Sequence, residues 1–159
     1  MIAPMNPTTY SFLIFLHVAA AAFWVGGMAT MHFAVRPAAV ALLQPPQRLP
    51  FMAAALQRFF AGVSTAVLLL WASGLAMLIA LGGMAGTHWR VHAMLTLGLV
   101  MSLIYGHIRF ASFKRLRLAV QAGDWPVAAA RLNQIRVRVA LNLGLGVLTL
   151  AVALVGRAF

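Results

Sequence analysis

Residues 59–81 read FFAGVSTAVLLLWASGLAMLIAL, a run of 23 residues without a charged side chain. As an α-helix this run would rise about 34 Å, enough to cross the hydrocarbon core of a bilayer, which is about 30 Å thick. Three further apolar runs lie at about residues 10–35, 91–110 and 139–156. The sequence therefore predicts four transmembrane helices.

The composition of the chain is typical of an integral membrane protein. Of its 159 residues, 64% are hydrophobic and only 8% are charged, and the mean hydropathy is +0.95. A chain of this kind buries its apolar surface in lipid rather than in a soluble core. We expect an all-α protein, a single transmembrane domain over residues 1–159 folded as an up-and-down four-helix bundle in a lipid bilayer.

Most of the basic residues lie near two of the three connections between the predicted helices rather than on one face of the protein. The net charge is +11, and ten of the twelve Lys and Arg residues flank the first and third connections, whereas Arg90 and Arg157 stand apart. Without a basic face that tracks phosphates, we expect no nucleic acid partner. The positive-inside rule places both basic connections in the cytoplasm and both termini outside. The ten residues are Arg36, Arg48, Arg58, Arg109, Lys114, Arg115, Arg117, Arg131, Arg136 and Arg138.

Turn residues indicate where the helices end beyond the bilayer. Gly123 is a plausible residue just past a helix end, and Asp124, before Trp125 and Pro126, is a plausible N-cap. The third helix should therefore run from about Trp89 to Ala122 and the fourth from about Trp125 to Arg157. We expect helices 2–4 to extend into the cytoplasm, and the prolines of the first connection to break helix there: Pro37, Pro45, Pro46 and Pro50.

Four of the five histidines form two pairs with the same spacing. His17 precedes His32, and His92 precedes His107, by 15 residues in each case, or about 22 Å of helix. Because the first and third helices should run in the same direction, His17 and His92 would lie in the outer half, with the other two near the cytoplasmic face. Facing helices of a bundle build cofactor sites in its core. All four histidines are therefore candidate ligands, and bis-histidine ligation of haem suits the arrangement.

A second grouping predicts a metal site at the outer end. His88 and His92 are spaced i, i+4, which places both on one helix face, and Met84 and Met94 are close in sequence. Imidazole suits copper, iron and zinc, and thioether sulfur favours Cu(I). His17 would complete a set of His17, His88, His92, Met84 and Met94. The alternative is that His88 is a polar turn residue, the methionines fill the core, and the other histidines make interhelical hydrogen bonds.

The chain lacks the residues that several classes of function require. The only carboxylate side chain is Asp124, in a predicted turn, and the chain has no cysteine. A carboxylate-coupled proton pump, a thiolate metal site and CxxC redox chemistry are therefore not expected. Catalytic residues are not predicted, and an oxidoreductase activity is expected only if haem is bound.

The chain resembles a family of copper resistance membrane proteins, the CopD-like proteins. The resemblance rests on Leu16-His17, on Phe23-Trp24-Val25-Gly26-Gly27 followed by Arg36-Pro37, on Trp89, His92 and the Tyr105 to His107 region, and on the hairpin Gly123 to Pro126. It extends over most of the chain, although full CopD proteins are longer. The resemblance implies copper handling at or across a bacterial-type inner (plasma) membrane.

The first helix also resembles that of HemJ-type protoporphyrinogen oxidases, which are four-helix membrane proteins that bind haem b. His17 matches the histidine of their functional pair, but Met94 stands where a third-helix lysine is expected. This resemblance implies a haem b-binding redox protein, in which His92 or Met94 would ligate iron. A third hypothesis is a structural or assembly subunit without a cofactor, in a homo-oligomer or with a partner membrane protein.

A reporter fused after Phe159 tests the predicted orientation. Because the basic connections should remain in the cytoplasm, we expect a reporter at this end to lie on the outer face. A matched fusion in the connection at Gly123 should report the cytoplasm. A cytoplasmic reporter after Phe159 would contradict the assignment.

Overall fold

The computed structural model describes residues 5–85 and 87–156. These residues form four long helices and no strand, and each helix is long and apolar enough to cross a membrane. The predicted all-α, four-helix membrane fold is thereby confirmed. The helices are α1 (Pro7–Leu42), α2 (Pro45–Ala80), α3 (Trp89–Gln121) and α4 (Trp125–Val155).

Reciprocal contacts between aromatic rings and glycines show that α1 and α2 are antiparallel. The ring of Phe23 lies over Gly62, and the ring of Phe59 lies over Gly27. Small residues at such positions let membrane helices approach closely. Since the later residue of α1 meets the earlier residue of α2, the two helices form an antiparallel hairpin.

Contacts of α4 fix the relative direction of the remaining helices. Met101 of α3 lies beside Gly146, and Ser112, further along α3, accepts a hydrogen bond from Arg138 at 3.0 Å. α3 and α4 are therefore antiparallel. Val25 of α1 also lies beside Gly146, and Met28, one turn later, contacts Asn142. Thus α1 and α3 run in the same direction, as the sequence predicts.

The first helix does not break at Pro37, contrary to expectation. A π-helical turn at Met31–Val35 directly precedes the Arg36–Leu42 segment, and the helix continues to Leu42. Proline removes a backbone donor and clashes with the carbonyl four residues earlier, here that of Phe33. The wider π turn accommodates this defect, so α1 extends beyond the predicted span as α2–α4 do.

The other three prolines of the first connection do not interrupt a helix either. Pro45 and Pro46 occupy the first two positions of α2, where the missing N–H has no intrahelical partner in any case. Pro50 lies in the second turn, still inside the helix. The break between α1 and α2 is therefore confined to residues 43–44, where the backbone of Leu43 becomes extended.

The hairpin between α3 and α4 forms as predicted. α3 ends at Gln121, Gly123 adopts a φ of +68°, and the Asp124 side chain accepts a hydrogen bond from the Val127 N–H at 3.1 Å. This is a glycine past one helix end followed by an N-cap for the next. α4 ends at Val155, and the predicted end at Arg157 lies outside the described residues.

Four aromatic rings fill the middle of the bundle. Trp24, Tyr105, Phe60 and Phe113 pack edge to face in sequence, with ring centroids 5.2–6.0 Å apart. The Tyr105 hydroxyl donates to the Phe60 carbonyl at 2.8 Å and lies 2.7 Å from Ser64 Oγ. Trp24 is therefore a core residue. Large apolar side chains cover the outside, among them Phe12, Phe15, Phe33, Leu68, Leu103 and Leu154.

Replacement of Gly146 by alanine tests the closeness of α4 to its neighbours. A Cβ at this position would lie 2.8 Å from Val25 Cγ2 and 3.2 Å from Met101 Cε, and a β-branched valine cannot easily rotate away in a helix. We expect Gly146→Ala to lower the free energy of unfolding in detergent by about 1–3 kcal/mol.

Gly144 provides the matched control, since a Cβ there meets no atom within 4 Å. Gly144→Ala should leave the stability unchanged or raise it by up to about 1 kcal/mol. Equal loss of stability in both variants would contradict the packing described here.

Candidate functional site

His17 lies on the side of α1 that faces α2, and its ring is partly buried. Its Nδ1 is 3.0 Å from Ser73 Oγ. The next residue of α2 is Gly74, where an added Cβ would lie only 3.2 Å from His17 Cε1. The serine therefore holds the ring by a hydrogen bond, and the glycine provides the space beside it.

The hydrogen bonds of Ser73 determine which nitrogen of His17 carries the proton. Ser73 Oγ lies 2.6 Å from the Leu69 carbonyl oxygen, which can only accept. A hydroxyl has one proton, so Ser73 donates to Leu69 and must accept from His17 Nδ1. A neutral imidazole has one N–H. His17 Nε2 is therefore the nitrogen with the free lone pair.

His92 has the opposite arrangement at the start of α3, where its side chain is exposed. Its Nε2 is 3.2 Å from Thr87 Oγ1, and that hydroxyl donates to the Met84 carbonyl at 2.9 Å. By the same reasoning His92 donates from Nε2 and has its lone pair on Nδ1. His92 is therefore anchored to the connection between α2 and α3.

His88 acts as the N-cap of α3. Its Nδ1 accepts from the Arg90 N–H at 3.4 Å, a long hydrogen bond. Its ring also lies beside that of Trp89, with centroids 5.9 Å apart. The lone pair of a neutral His88 on Nδ1 is thus directed at the helix backbone, as expected for the polar-turn alternative.

His32 and His107 lie near the π turns of α1 and α3. His32 is within the Met31–Val35 turn and packs against Phe33, with ring centroids 4.8 Å apart. His107 directly precedes the turn at Ile108–Ser112 and is exposed. Both belong to the end of the bundle that carries residues 43–44 and 122–124, which is called the basic end below.

The structure does not gather the predicted ligands into one cluster. Within residues 5–85 and 87–156, no group of three or more His, Cys, Asp or Glu side chains is close enough to hold a metal ion. His17 contacts α2, whereas His88 and His92 belong to the start of α3. Met84 contacts Thr87 through its carbonyl, and Met94 is half-buried in α3. A three-nitrogen site is therefore not preformed among these residues.

Two polar contacts between the helices were not predicted from the sequence. The first is the pairing of His17 with Ser73 and Gly74, whose only signal is a polar residue and a glycine adjacent in an apolar run. The second is Asn142, which is 2% exposed, approaches Met28 Sδ to 3.8 Å through its amide nitrogen, and leaves its Oδ1 without a partner among the described atoms.

Comparisons with known proteins identify the family. A family model described as copper resistance protein D matches residues 53–155. No curated protein and no solved structure matches the chain. The matched stretch contains Ser73, His92 and His107, whereas His17 and His32 precede it. Because it spans well over half of the chain, the protein belongs to the copper resistance protein D (CopD) family and is a multi-pass membrane protein related to copper resistance.

Proposed function

We propose that this protein handles copper within the membrane and that His17 is the residue that binds it, with Cu(I) as the cargo. The observation that carries the proposal is the hydrogen bond between His17 and Ser73, which fixes the imidazole proton on Nδ1 and leaves the Nε2 lone pair free. Metal-binding histidines in proteins commonly donate their other N–H in this way. Membership of the copper resistance protein D family supports copper as the metal.

The environment of His17 suits a soft ion that needs few ligands. No three-residue cluster of imidazoles or carboxylates surrounds it in the described part of the chain, and Cu(I) accepts low coordination numbers. Thioether sulfur is a preferred ligand of Cu(I). Met77 is half-buried one turn beyond Ser73 on α2, and residues four apart share a helix face. We infer that Met77 is the second ligand.

Ser73 and Gly74 are positioning residues in this proposal. Ser73 sets the tautomer of His17 and fixes the orientation of the ring, and loss of such a hydrogen bond typically weakens metal binding by about 10–100-fold. Gly74 leaves space for the His17 ring, since the methyl group of an alanine there would lie too close to Cε1. Both act on the metal only through His17.

A haem b protein remains the alternative with a different cofactor. It would use His17 and His92 together. His17 is hydrogen-bonded to Ser73 of α2, whereas His92 is hydrogen-bonded to Thr87 in the connection between α2 and α3. The family match, to copper resistance protein D, favours copper over haem.

Competitive titration of Cu(I) against a coloured chelator tests the proposal on the detergent-purified protein. We expect His17→Gln to lower copper affinity at least about 100-fold, and Ser73→Ala to lower it about 10–100-fold. Met77→Leu, which nearly conserves volume, should weaken binding by at least about 10-fold. Matched controls are His107→Gln and Met94→Leu, which should retain the wild-type affinity.

Other outcomes would replace the proposal. If His88→Gln and His92→Gln abolish binding while His17→Gln does not, copper binds at the start of α3. A Soret band in the purified protein that is lost in His17→Gln would identify haem b instead. A protein that binds neither copper nor haem would fit the structural or assembly subunit.

A further inference from the structure

A groove of about 390 Å³ lies along α3 at the basic end of the bundle. It combines cationic and apolar side chains on one face of the helix. Phe113 forms its buried floor, whereas Phe110 is 75% exposed and Leu118 is 56% exposed. The residues that the argument uses are Arg109, Phe110, Phe113, Lys114, Arg117 and Leu118.

The π turn at Ile108–Ser112 aligns the two ends of this groove. Arg109 and Arg117 are eight residues apart, which in a regular α-helix places them about 80° apart around the axis. A π turn takes up one extra residue, and most of this turn lies between Arg109 and Arg117, so the angle between them falls below about 80°. The same turn brings Phe110 and Leu118 closer to one face. This π turn contains no proline, unlike the stretch that follows the π turn of α1. It brings two cationic and two apolar side chains toward the same face of α3.

The cations of the groove lack a carboxylate partner. The one acidic side chain of the sequence, Asp124, caps α4 through the Val127 N–H. In the described part of the chain, Arg109 lies over the rings of Phe110 and Phe113, at 5.8 Å from each centroid. Such contacts restrain a guanidinium while leaving its N–H groups available. An anionic group that pairs with these cations would therefore come from outside the side chains of this protein.

The position of the groove along α3 matches the headgroup layer. The apolar run of this helix ends at about residue 110, and the layer beyond the hydrocarbon core is about 6 Å thick on each side. Arg109 and Lys114 are separated by about 7 Å of helix rise, and the longer reach of Arg117 allows it to bend back toward the same layer. Exposed Phe110, at the end of the apolar run, would meet the glycerol and acyl region.

We propose that this groove is a binding site for the phosphodiester headgroup of an anionic glycerophospholipid in the leaflet at the basic end. Basic pockets at membrane level are suited to such headgroups. The guanidinium of Arg109 and the ammonium of Lys114 contact the phosphate, while Phe110 contacts the first part of the acyl chains. The site does not depend on copper binding.

Native mass spectrometry of the purified protein with phosphatidylglycerol and phosphatidylcholine in equal amounts tests the site. Wild-type protein should retain phosphatidylglycerol preferentially. Each basic residue near an anionic surface contributes about five-fold to binding, so Lys114→Gln/Arg117→Gln should lower retention about 25-fold. The matched control is Arg58→Gln/Arg115→Gln, which removes the same charge from exposed positions outside the groove and should retain the lipid.

Four results would overturn the proposal. Equal loss in both double variants would show attraction by net charge alone. Equal retention of phosphatidylcholine would show that the headgroup charge is not recognised. Displacement of the lipid by millimolar inorganic phosphate would show a site for a free anion. Unchanged retention in Lys114→Gln/Arg117→Gln, with native-like unfolding, would likewise contradict the assignment.

Discussion

The lipid bilayer offers no hydrogen-bond partners, and this constraint determines both the fold and the candidate site. Backbone groups within the hydrocarbon must pair inside their own helix, which explains why the described residues form four long helices. Side chains follow the same rule. Ser73 satisfies its hydroxyl proton on the Leu69 carbonyl, so it can only accept from His17. The tautomer of His17, the proposed metal ligand, therefore follows from the hydrogen bond between Ser73 and the helix backbone.

Much of the fold was predictable because its signals are local. Long apolar runs gave the spans, and Gly123 with Asp124 gave the α3–α4 hairpin. The helix break predicted at Pro37 was wrong because the effect of a proline depends on the preceding turn. Here a π turn at Met31–Val35 accommodates the missing backbone donor. The Ser73 contact was not predictable, since a helix that is apolar all round does not show which side faces its neighbour. The pairing of His17 with α2 required the structure.

The two ends of the molecule have different chemistry, and the proposals follow this division. His17 lies toward the end of the bundle that carries few charges, since ten of the twelve basic residues flank the other two connections. The basic end lacks a partly buried imidazole held by a serine, but it has cations without a carboxylate partner beside the exposed ring of Phe110. The family match over residues 53–155 covers Ser73, Gly74 and the groove of α3. His17, in α1, is the residue of the proposed copper site that lies outside this match.

Nitrogen-15 NMR of the histidine-labelled protein, before and after addition of Cu(I), tests the central claim most directly. Cu(I) is diamagnetic, so the imidazole resonances remain observable. Assignment through the His17→Gln variant should show a neutral His17 protonated on Nδ1, and Cu(I) should shift its Nε2 resonance while His32 and His107 stay unchanged. A His17 protonated on Nε2, or a copper-induced shift confined to His88 and His92, would contradict the account.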